Sequence, residues 1–218
     1  FLVSGEAKQG EKSLDDLFLY AAGQKPKNGL TRNDDAVIRY TSGTTGRPKG
    51  VVSTLRNLII SQGWLNGQEW GLKGTDRTLV ATPMAHRTGI ARVAAAFCQA
   101  STLVVQERFD PEETVRLLEK EKATHIGLVP TIANMLLPEI TKRPQACKSL
   151  QYMLATGEVF LVKLKEKLFS VLSKLELHSF YSQTEAGLVC NLRPDEQTKF
   201  SGSIGKPVKG VEVKIVNQ

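Results

Sequence analysis

Short apolar runs alternate along the chain with longer stretches in which apolar and polar positions repeat at helical spacing. Residues 36–40, 78–83, 102–106, 125–129, 152–155 and 177–181 read as buried strands. Residues 13–20, 55–59, 89–99, 111–123 and 161–175 keep the apolar period of amphipathic helices. Strands that alternate with helices predict an α/β fold, with largely parallel sheets flanked by helices.

Local signals mark two helix starts and a change of pattern near the end of the chain. Ser13 is a good cap residue, and Asp110-Pro111-Glu112-Glu113 combines a cap, a first-position proline and acids at the positive end of the helix dipole. After residue 200, residues 211–215 alternate like a half-exposed strand. We therefore expect two α/β subdomains, over residues 1–75 and 76–199, and the start of a β-barrel-like, β-rich subdomain over residues 200–218.

Composition and charge narrow the function class. The 218 residues are 41% hydrophobic and 23% charged, and no apolar run or amino-terminal leader indicates a membrane span or secretion, so we expect a cytoplasmic location. Cys98, Cys147 and Cys190 lie far apart, which predicts neither a zinc site nor disulfides. The net charge of +7 comes from scattered basic residues without interleaved aromatics, so no nucleic-acid partner is expected.

The strongest chemical signal is the segment 40–50, which reads YTSGTTGRPKG. Its glycines let backbone amides approach phosphate oxygens, and its hydroxyls supply further donors. Lys49 adds a charge suited to a terminal phosphate. A Walker A loop is excluded, because Lys49 lies between proline and glycine and is followed by an extended segment rather than a helix.

Several further motifs follow this loop in a fixed order, and together they resemble one family. They are Pro83-Met-Ala-His86-Arg-Thr-Gly89, Thr124 to Thr131, Thr156-Gly157-Glu158, Tyr181-Ser-Gln-Thr184-Glu185 and Gly202-Ser-Ile-Gly205-Lys-Pro207. The chain resembles the adenylate-forming (AMP-binding) superfamily of acyl- and aryl-CoA synthetases, peptide-synthetase adenylation domains and luciferases. The resemblance implies a ligase that joins a small carboxylic acid to ATP as an acyl-AMP, releases pyrophosphate and then forms a thioester with coenzyme A.

The resemblance also implies a role for individual residues. The loop, with Lys49, would hold the β- and γ-phosphates, Thr184 would contact the α-phosphate, and Glu185 would ligate Mg²⁺. His86 would guide the carboxylate or gate water at the mouth of the acyl pocket. Lys49, His86, Thr184 and Glu185 are thus the predicted catalytic residues. The predicted nucleotide-binding residues are Thr41, Ser42, Gly43, Thr44, Thr45, Gly46, Lys49, Gly157, Glu158, Tyr181, Ser182, Gln183 and Thr184. His125 and His178 match no such motif position and are expected to be structural.

The chain departs from the family pattern in two ways. Ser182 stands where glycine is usual, and Thr156 stands where a second glycine is common, which narrows the space beside the nucleotide. The family's Thr-Gly-Asp motif and its small C-terminal lid domain are absent, so we expect a piece of a longer enzyme with little or no adenylating activity by itself. Two alternatives remain open: an amino-acid-activating adenylation domain, which usually carries an aspartate near His86-Arg87, and a catalytically dead nucleotide-binding module.

Overall fold

A computed structural model describes residues 2–3, 12–13, 29–41 and 47–217. The chain divides into two compact units, residues 1–31 and 32–218. In the first unit, the described residues form a parallel pair of short strands, β1 (Leu2–Val3) and β2 (Lys12–Ser13). Apart from Ser13, which lies in β2, the helix predicted over residues 13–20 lies outside the described residues. The domain boundaries expected at residues 75 and 199 stay a prediction.

The second unit begins with an antiparallel hairpin. Strand β3 (Asp35–Thr41) pairs with β4 (Lys49–Thr54), and the predicted strand at 36–40 is thus confirmed. Two helical segments follow without a break: α1 (Asn57–Leu65), a π-helix, and the single-turn α2 (Asn66–Glu69).

A seven-stranded sheet forms the centre of this unit, with the strand order β11-β10-β9-β8-β7-β5-β6. Its parallel part consists of β5 (Arg77–Val80), β6 (Thr102–Val105), β7 (His125–Leu128), β8 (Tyr152–Thr156) and β9 (Glu176–Gln183). Two antiparallel strands, β10 (Gly187–Leu192) and β11 (Lys206–Pro207), complete one edge. The predicted α/β class with largely parallel strands is confirmed.

Helices cover both faces of the sheet. Helix α3 (Arg87–Gln99) and Trp70 pack against Leu154 and Phe180 on one face. The opposite face carries α4 (Pro111–Lys120), α5 (Pro130–Lys142) and α6 (Val162–Val171). The larger core lies under these three helices, and its fully buried members include Leu118, Ile126, Leu136, Met153, Leu168 and Leu177.

The cap predicted for α4 has the expected geometry. The Asp110 carboxylate accepts a hydrogen bond of 2.8 Å from the backbone amide of Glu113, and Pro111 occupies the first helical position. Both histidines that are expected to be structural are buried in the sheet. His125 lies on β7 and His178 on β9, with β8 between them, and the His125 ring stacks on Tyr152 of β8 at 4.5 Å between centroids.

Two elements differ from the sequence prediction. No helix is predicted between residues 123 and 161, yet α5 begins at Pro130, because a proline lacks only an amide that the first helical turn leaves unbonded. Residues 211–217 have no strand pairing among the described residues, although their alternation predicts a strand. Val213, Ile215 and Val216 are exposed there, because no described neighbour supplies hydrogen bonds or an apolar surface.

Candidate active site

The β3–β4 hairpin holds the base of the predicted phosphate loop. Thr41 ends β3, Lys49 begins β4, and the two residues are direct cross-strand partners. Such partners have Cα atoms about 5 Å apart, so Thr41 and Lys49 lie side by side. Ser42, Gly43, Thr44, Thr45 and Gly46 lie outside the described residues, and their contacts with phosphate stay a prediction.

A cavity of about 380 Å³ opens where β5, β7, β8 and β9 end. Ligands of open parallel sheets bind at this carboxyl edge. We call it the His86 cavity. The structure brings together five of the predicted site residues along its wall, namely His86, Gly157, Ser182, Gln183 and Thr184.

A second cavity of about 350 Å³ adjoins it, and we call it the Tyr181 cavity. Glu158 and Tyr181 line one part of its wall, and Ser201 with residues 202–204 of the Gly-Ser-x-Gly segment lines another. Gly157 and Ser182 line both cavities. Gly157 has φ +95°, a backbone conformation that side-chain-bearing residues rarely adopt, which explains the glycine at this shared wall.

The two departures from the family pattern contact each other. The hydroxyl groups of Thr156 and Ser182 lie 2.9 Å apart, and Thr156 Oγ1 also lies 3.2 Å from the carbonyl oxygen of Phe180. A hydroxyl can donate one hydrogen bond and accept others, so both contacts can be satisfied at once. The side chain at 182 is therefore hydrogen-bonded to the side chain at 156, and both residues line the His86 cavity.

His86 is positioned by a close approach between a turn and helix α3. Its backbone amide donates to the Pro83 carbonyl at 3.2 Å, and its own carbonyl accepts from the amide of Gly89 at 3.0 Å. A Cβ at Gly89 would come within 2.6 Å of Met84 Cα. His86 is the residue before the first turn of α3, and that turn carries no acidic side chain, so the positive end of the helix dipole faces the His86 cavity without compensation.

Glu158 makes a contact that the sequence did not reveal. Its carboxylate accepts hydrogen bonds from the backbone amide of Thr131, at 3.0 Å, and from the Thr131 hydroxyl, at 2.7 Å. Thr131 lies in the first turn of α5, where backbone amides lack partners within the helix. Glu158, which lines the Tyr181 cavity, therefore also caps helix α5.

In the sequence, Tyr181 precedes Thr184 by three residues, and Glu185 follows Thr184 directly. The Tyr181 hydroxyl accepts a hydrogen bond of 2.9 Å from the Gln183 side chain. Glu185 is exposed in the turn between β9 and β10. Within the described residues no cluster of three or more His, Cys, Asp or Glu side chains could hold a metal ion. The magnesium-binding role expected for Glu185 stays a prediction. A single carboxylate suits Mg²⁺, which can keep water and phosphate oxygens as most of its ligands.

Three arginines near the His86 cavity were missed by the sequence prediction. Arg39 is held by Gln62 and Ser53, Arg87 lines the His86 cavity, and Arg92 is 3% exposed. Burial, followed by the like charge of Arg39, lowers the pKa of Arg87 to about 10. Burial, followed by the charge of Arg87, lowers the pKa of Arg92 to about 9. The signal was present in the sequence, since Arg92 is a lone charge within the apolar face of a helix.

Comparison with known proteins agrees with this geometry. The family model described as AMP-binding enzyme matches residues 2–218. The chain belongs to the AMP-binding enzyme family. The 2-succinylbenzoate–CoA ligase of Bacillus pumilus is 33% identical over 195 residues, which cover 88% of this chain and 38% of the relative.

Solved members of the AMP-binding family share the fold. The o-succinylbenzoate CoA synthetase of Bacillus subtilis in complex with its acyl-adenylate intermediate is 26% identical, with a TM-score of 0.84 over 95% of this chain and 42% of that one. The same synthetase in complex with ATP and a magnesium ion has a TM-score of 0.81, is 26% identical, and is matched over 95% of this chain and 43% of that one. The chain thus spans about two-fifths of the length of these relatives. No helix among the described residues is long and apolar enough to cross a membrane.

Proposed function

We propose that the chain forms the acid- and ATP-binding part of an AMP-forming acid–thiol ligase of the acyl- or aryl-CoA synthetase type. The observation that carries this proposal is the His86 cavity, whose wall joins the Pro-x-x-His segment to the Tyr-x-x-Thr-Glu segment. The acid would bind there, and AMP would extend into the Tyr181 cavity across the shared Gly157 and Ser182. The relatives are CoA ligases, which favours coenzyme A as the second substrate.

The proposed reaction requires that the carboxylate of the acid and the α-phosphate of ATP are held in line. A carboxylate oxygen attacks the α-phosphorus of ATP, the bond to pyrophosphate breaks, and acyl-AMP forms. A thiol then attacks the acyl carbon and AMP leaves. Catalysis of such a step depends on positioning and on spreading negative charge over fixed donors. His86 and Thr184 line one cavity and would hold the acid and the α-phosphate, while Lys49 and the loop at 41–46 would hold the remaining phosphates.

Magnesium fits the residues present. The exposed Glu185 carboxylate follows Thr184 directly in the chain, so it stands next to the residue proposed to contact the α-phosphate. When bound, Mg²⁺ would neutralise charge on the phosphate oxygens. The solved relative with ATP and magnesium supports this choice of ion.

The test is acid-dependent exchange of labelled pyrophosphate into ATP by the whole protein, assayed with fatty, aromatic and amino acids. We expect Lys49→Ala and Glu185→Ala each to lower the exchange rate by about 100-fold or more, the usual effect of removing a charge-stabilising group. Lys209→Ala, on an exposed turn, is the control. Pyrophosphate exchange with amino acids alone would identify an amino-acid-activating enzyme. The absence of exchange with every acid would favour a non-catalytic nucleotide-binding protein.

Two narrower expectations remain open. Little or no adenylating activity of the 218-residue chain alone stays a prediction, consistent with its match to about two-fifths of its relatives. A cytoplasmic location stays a prediction of the sequence.

A further inference from the structure

The arginines beside the His86 cavity carry positive charge that no described residue balances. Arg39, Arg87 and Arg92 form no ion pair within the described part of the chain, where the ion pairs involve other residues. The neighbouring charges that act on Arg87 and Arg92 are those of other arginines. Buried charges are normally paired, so this uncompensated cluster needs an explanation.

Arg92 has unused hydrogen-bond donors. Its Nη2 donates to the Leu154 carbonyl at 3.1 Å, but Nε and Nη1 are buried without a partner among the described residues. Its guanidinium lies against the backbone of Gly127, in the middle of strand β7, where any Cβ would overlap it. The sheet therefore makes room for Arg92 and leaves two of its donor groups unsatisfied.

A small cavity connects Arg92 to the His86 cavity. Its volume is about 10 Å³, close to the space that a single water molecule needs. Arg92 and Trp70 line it, and the buried Trp70 Nε1 also lacks a described partner. Arg87, Thr88 and Thr156 line both the small cavity and the His86 cavity, so the two spaces adjoin at Arg87.

Other groups at this end of the His86 cavity are also donors. The first turn of α3 offers backbone amides and the positive end of its dipole. The buried Thr82 hydroxyl lines the same cavity and has no described partner. A charged guanidinium at the wall, a second one behind it and a helix amino terminus together favour an anion.

We propose, given the function proposed above, that the acid activated by this enzyme carries a second carboxylate, which Arg87 binds at the wall of the His86 cavity. Arg92 is a positioning residue. Arg92 acts on the bound carboxylate from behind the cavity wall, through its positive charge and through a water molecule in the small cavity. The reacting carboxylate remains at His86 and Thr184.

The proposal is tested by calorimetric binding of matched acid pairs to the whole protein. Each pair shares a carbon skeleton and differs by one carboxylate: the unbranched acids from butanoate to decanoate with their α,ω-diacids, and phenylpropanoate with carboxyphenylpropanoate. We expect a diacid to bind at least about tenfold more tightly than its monoacid, the usual value of one charge-assisted hydrogen bond. Arg87→Gln should abolish that preference by weakening diacid binding, and Arg92→Met should reduce it.

A second readout separates a binding role from a structural one. Because Arg92→Met removes an unpaired buried charge, the ligand-free variant should melt at the same or a higher temperature than the wild type. Arg116→Met, which removes an exposed charge on α4, should leave the acid preference unchanged. If Arg92→Met does not fold, Arg92 is structural and that part of the proposal is refuted, while Arg87→Gln still tests the diacid subsite.

Three results would overturn the proposal. In the first, diacids bind no better than monoacids in every pair. In the second, the variants weaken the binding of monoacids and diacids equally, which would assign the arginines to the reacting carboxylate. In the third, the variants weaken the binding of ATP or inorganic pyrophosphate, which would assign the arginines to phosphate. Monoacid-driven pyrophosphate exchange in any of these cases leaves the proposed function standing, whereas the absence of exchange with every acid refutes that function separately.

Discussion

Substituting alanine for Gly89 tests how the turn that carries His86 is held. The added Cβ would lie 2.6 Å from Met84 Cα and 2.9 Å from the Pro83 carbonyl oxygen. Carbon atoms attract at about 3.5 Å or more, so the turn must move by roughly 1 Å. Overpacking of this kind costs about 1–3 kcal/mol, and alanine recovers up to about 1 kcal/mol of helix propensity relative to glycine. We expect a net loss of about 1–2 kcal/mol in the free energy of unfolding.

Thermal unfolding followed by circular dichroism measures this loss. For a chain of this length, 1–2 kcal/mol lowers Tm by roughly 2–8 °C. Gly202→Ala is the matched control, because no atom lies within 4 Å of a Cβ at that position, and its Tm should stay the same or rise slightly. A Gly89→Ala protein as stable as the wild type would refute the reasoning, because the turn would then have room for the methyl group.

Three further predictions concern the candidate site and the sheet beneath it. Glu158→Gln should lower the free energy of unfolding by about 1 kcal/mol in urea titrations, because the charged cap of α5 is lost; no change would mean that its bonds to Thr131 contribute nothing. A double-mutant cycle with Thr156→Val and Ser182→Ala should give a coupling of about 0.5–1.5 kcal/mol, and additive effects would show that their hydroxyls do not interact. Burial, opposed in part by the Asn191 hydrogen bond, lowers the pKa of His178 to about 4. The unfolded chain therefore takes up the proton first as pH falls, and the free energy of unfolding should decrease from about pH 6.5 to about pH 4, less steeply in His178→Phe.

The parallel sheet could be predicted from the sequence because its signals are local. A strand buried on both faces is a short apolar run, and β5 and β8 each show one. The site residues are implied by the resemblance to a family, and the same pattern indicates their place, since the motifs that contain His86 and Thr184 come directly after predicted strands. Parallel strands share their carboxyl edge, which brings those motifs to one cavity.

Helix α5 could not be predicted, because its local signals point the other way. Pro138 lies inside it, where proline lacks an amide for the helix and crowds the preceding turn. The helix persists because Ala133, Leu136 and Ile140 are fully buried in the larger core. Glu158, distant in the chain, completes its amino-terminal turn. Tertiary contacts of this kind leave no trace in a local pattern.

The arginine cluster was missed for a different reason. Arg39 comes from a strand, and Arg87 and Arg92 come from a helix that is distant from it in sequence. The sequence shows Arg92 as a lone charge on an apolar helix face, but it does not show that the three arginines act on one another. Only the folded chain shows that burial and mutual repulsion act on them together. The partnership of Thr156 with Ser182 was hidden in the same way, because each was visible only as an isolated departure from a family pattern.

The central claim is that a carboxylate attacks the α-phosphorus of ATP in the site that this chain provides. The most direct test supplies the whole protein with ATP, coenzyme A and an acid whose carboxylate carries a heavy oxygen isotope, and analyses the nucleotide product by mass spectrometry. An acyl-AMP intermediate transfers one labelled oxygen to AMP, and this is the predicted result. Unlabelled AMP, or ADP with the label in inorganic phosphate, would contradict the account.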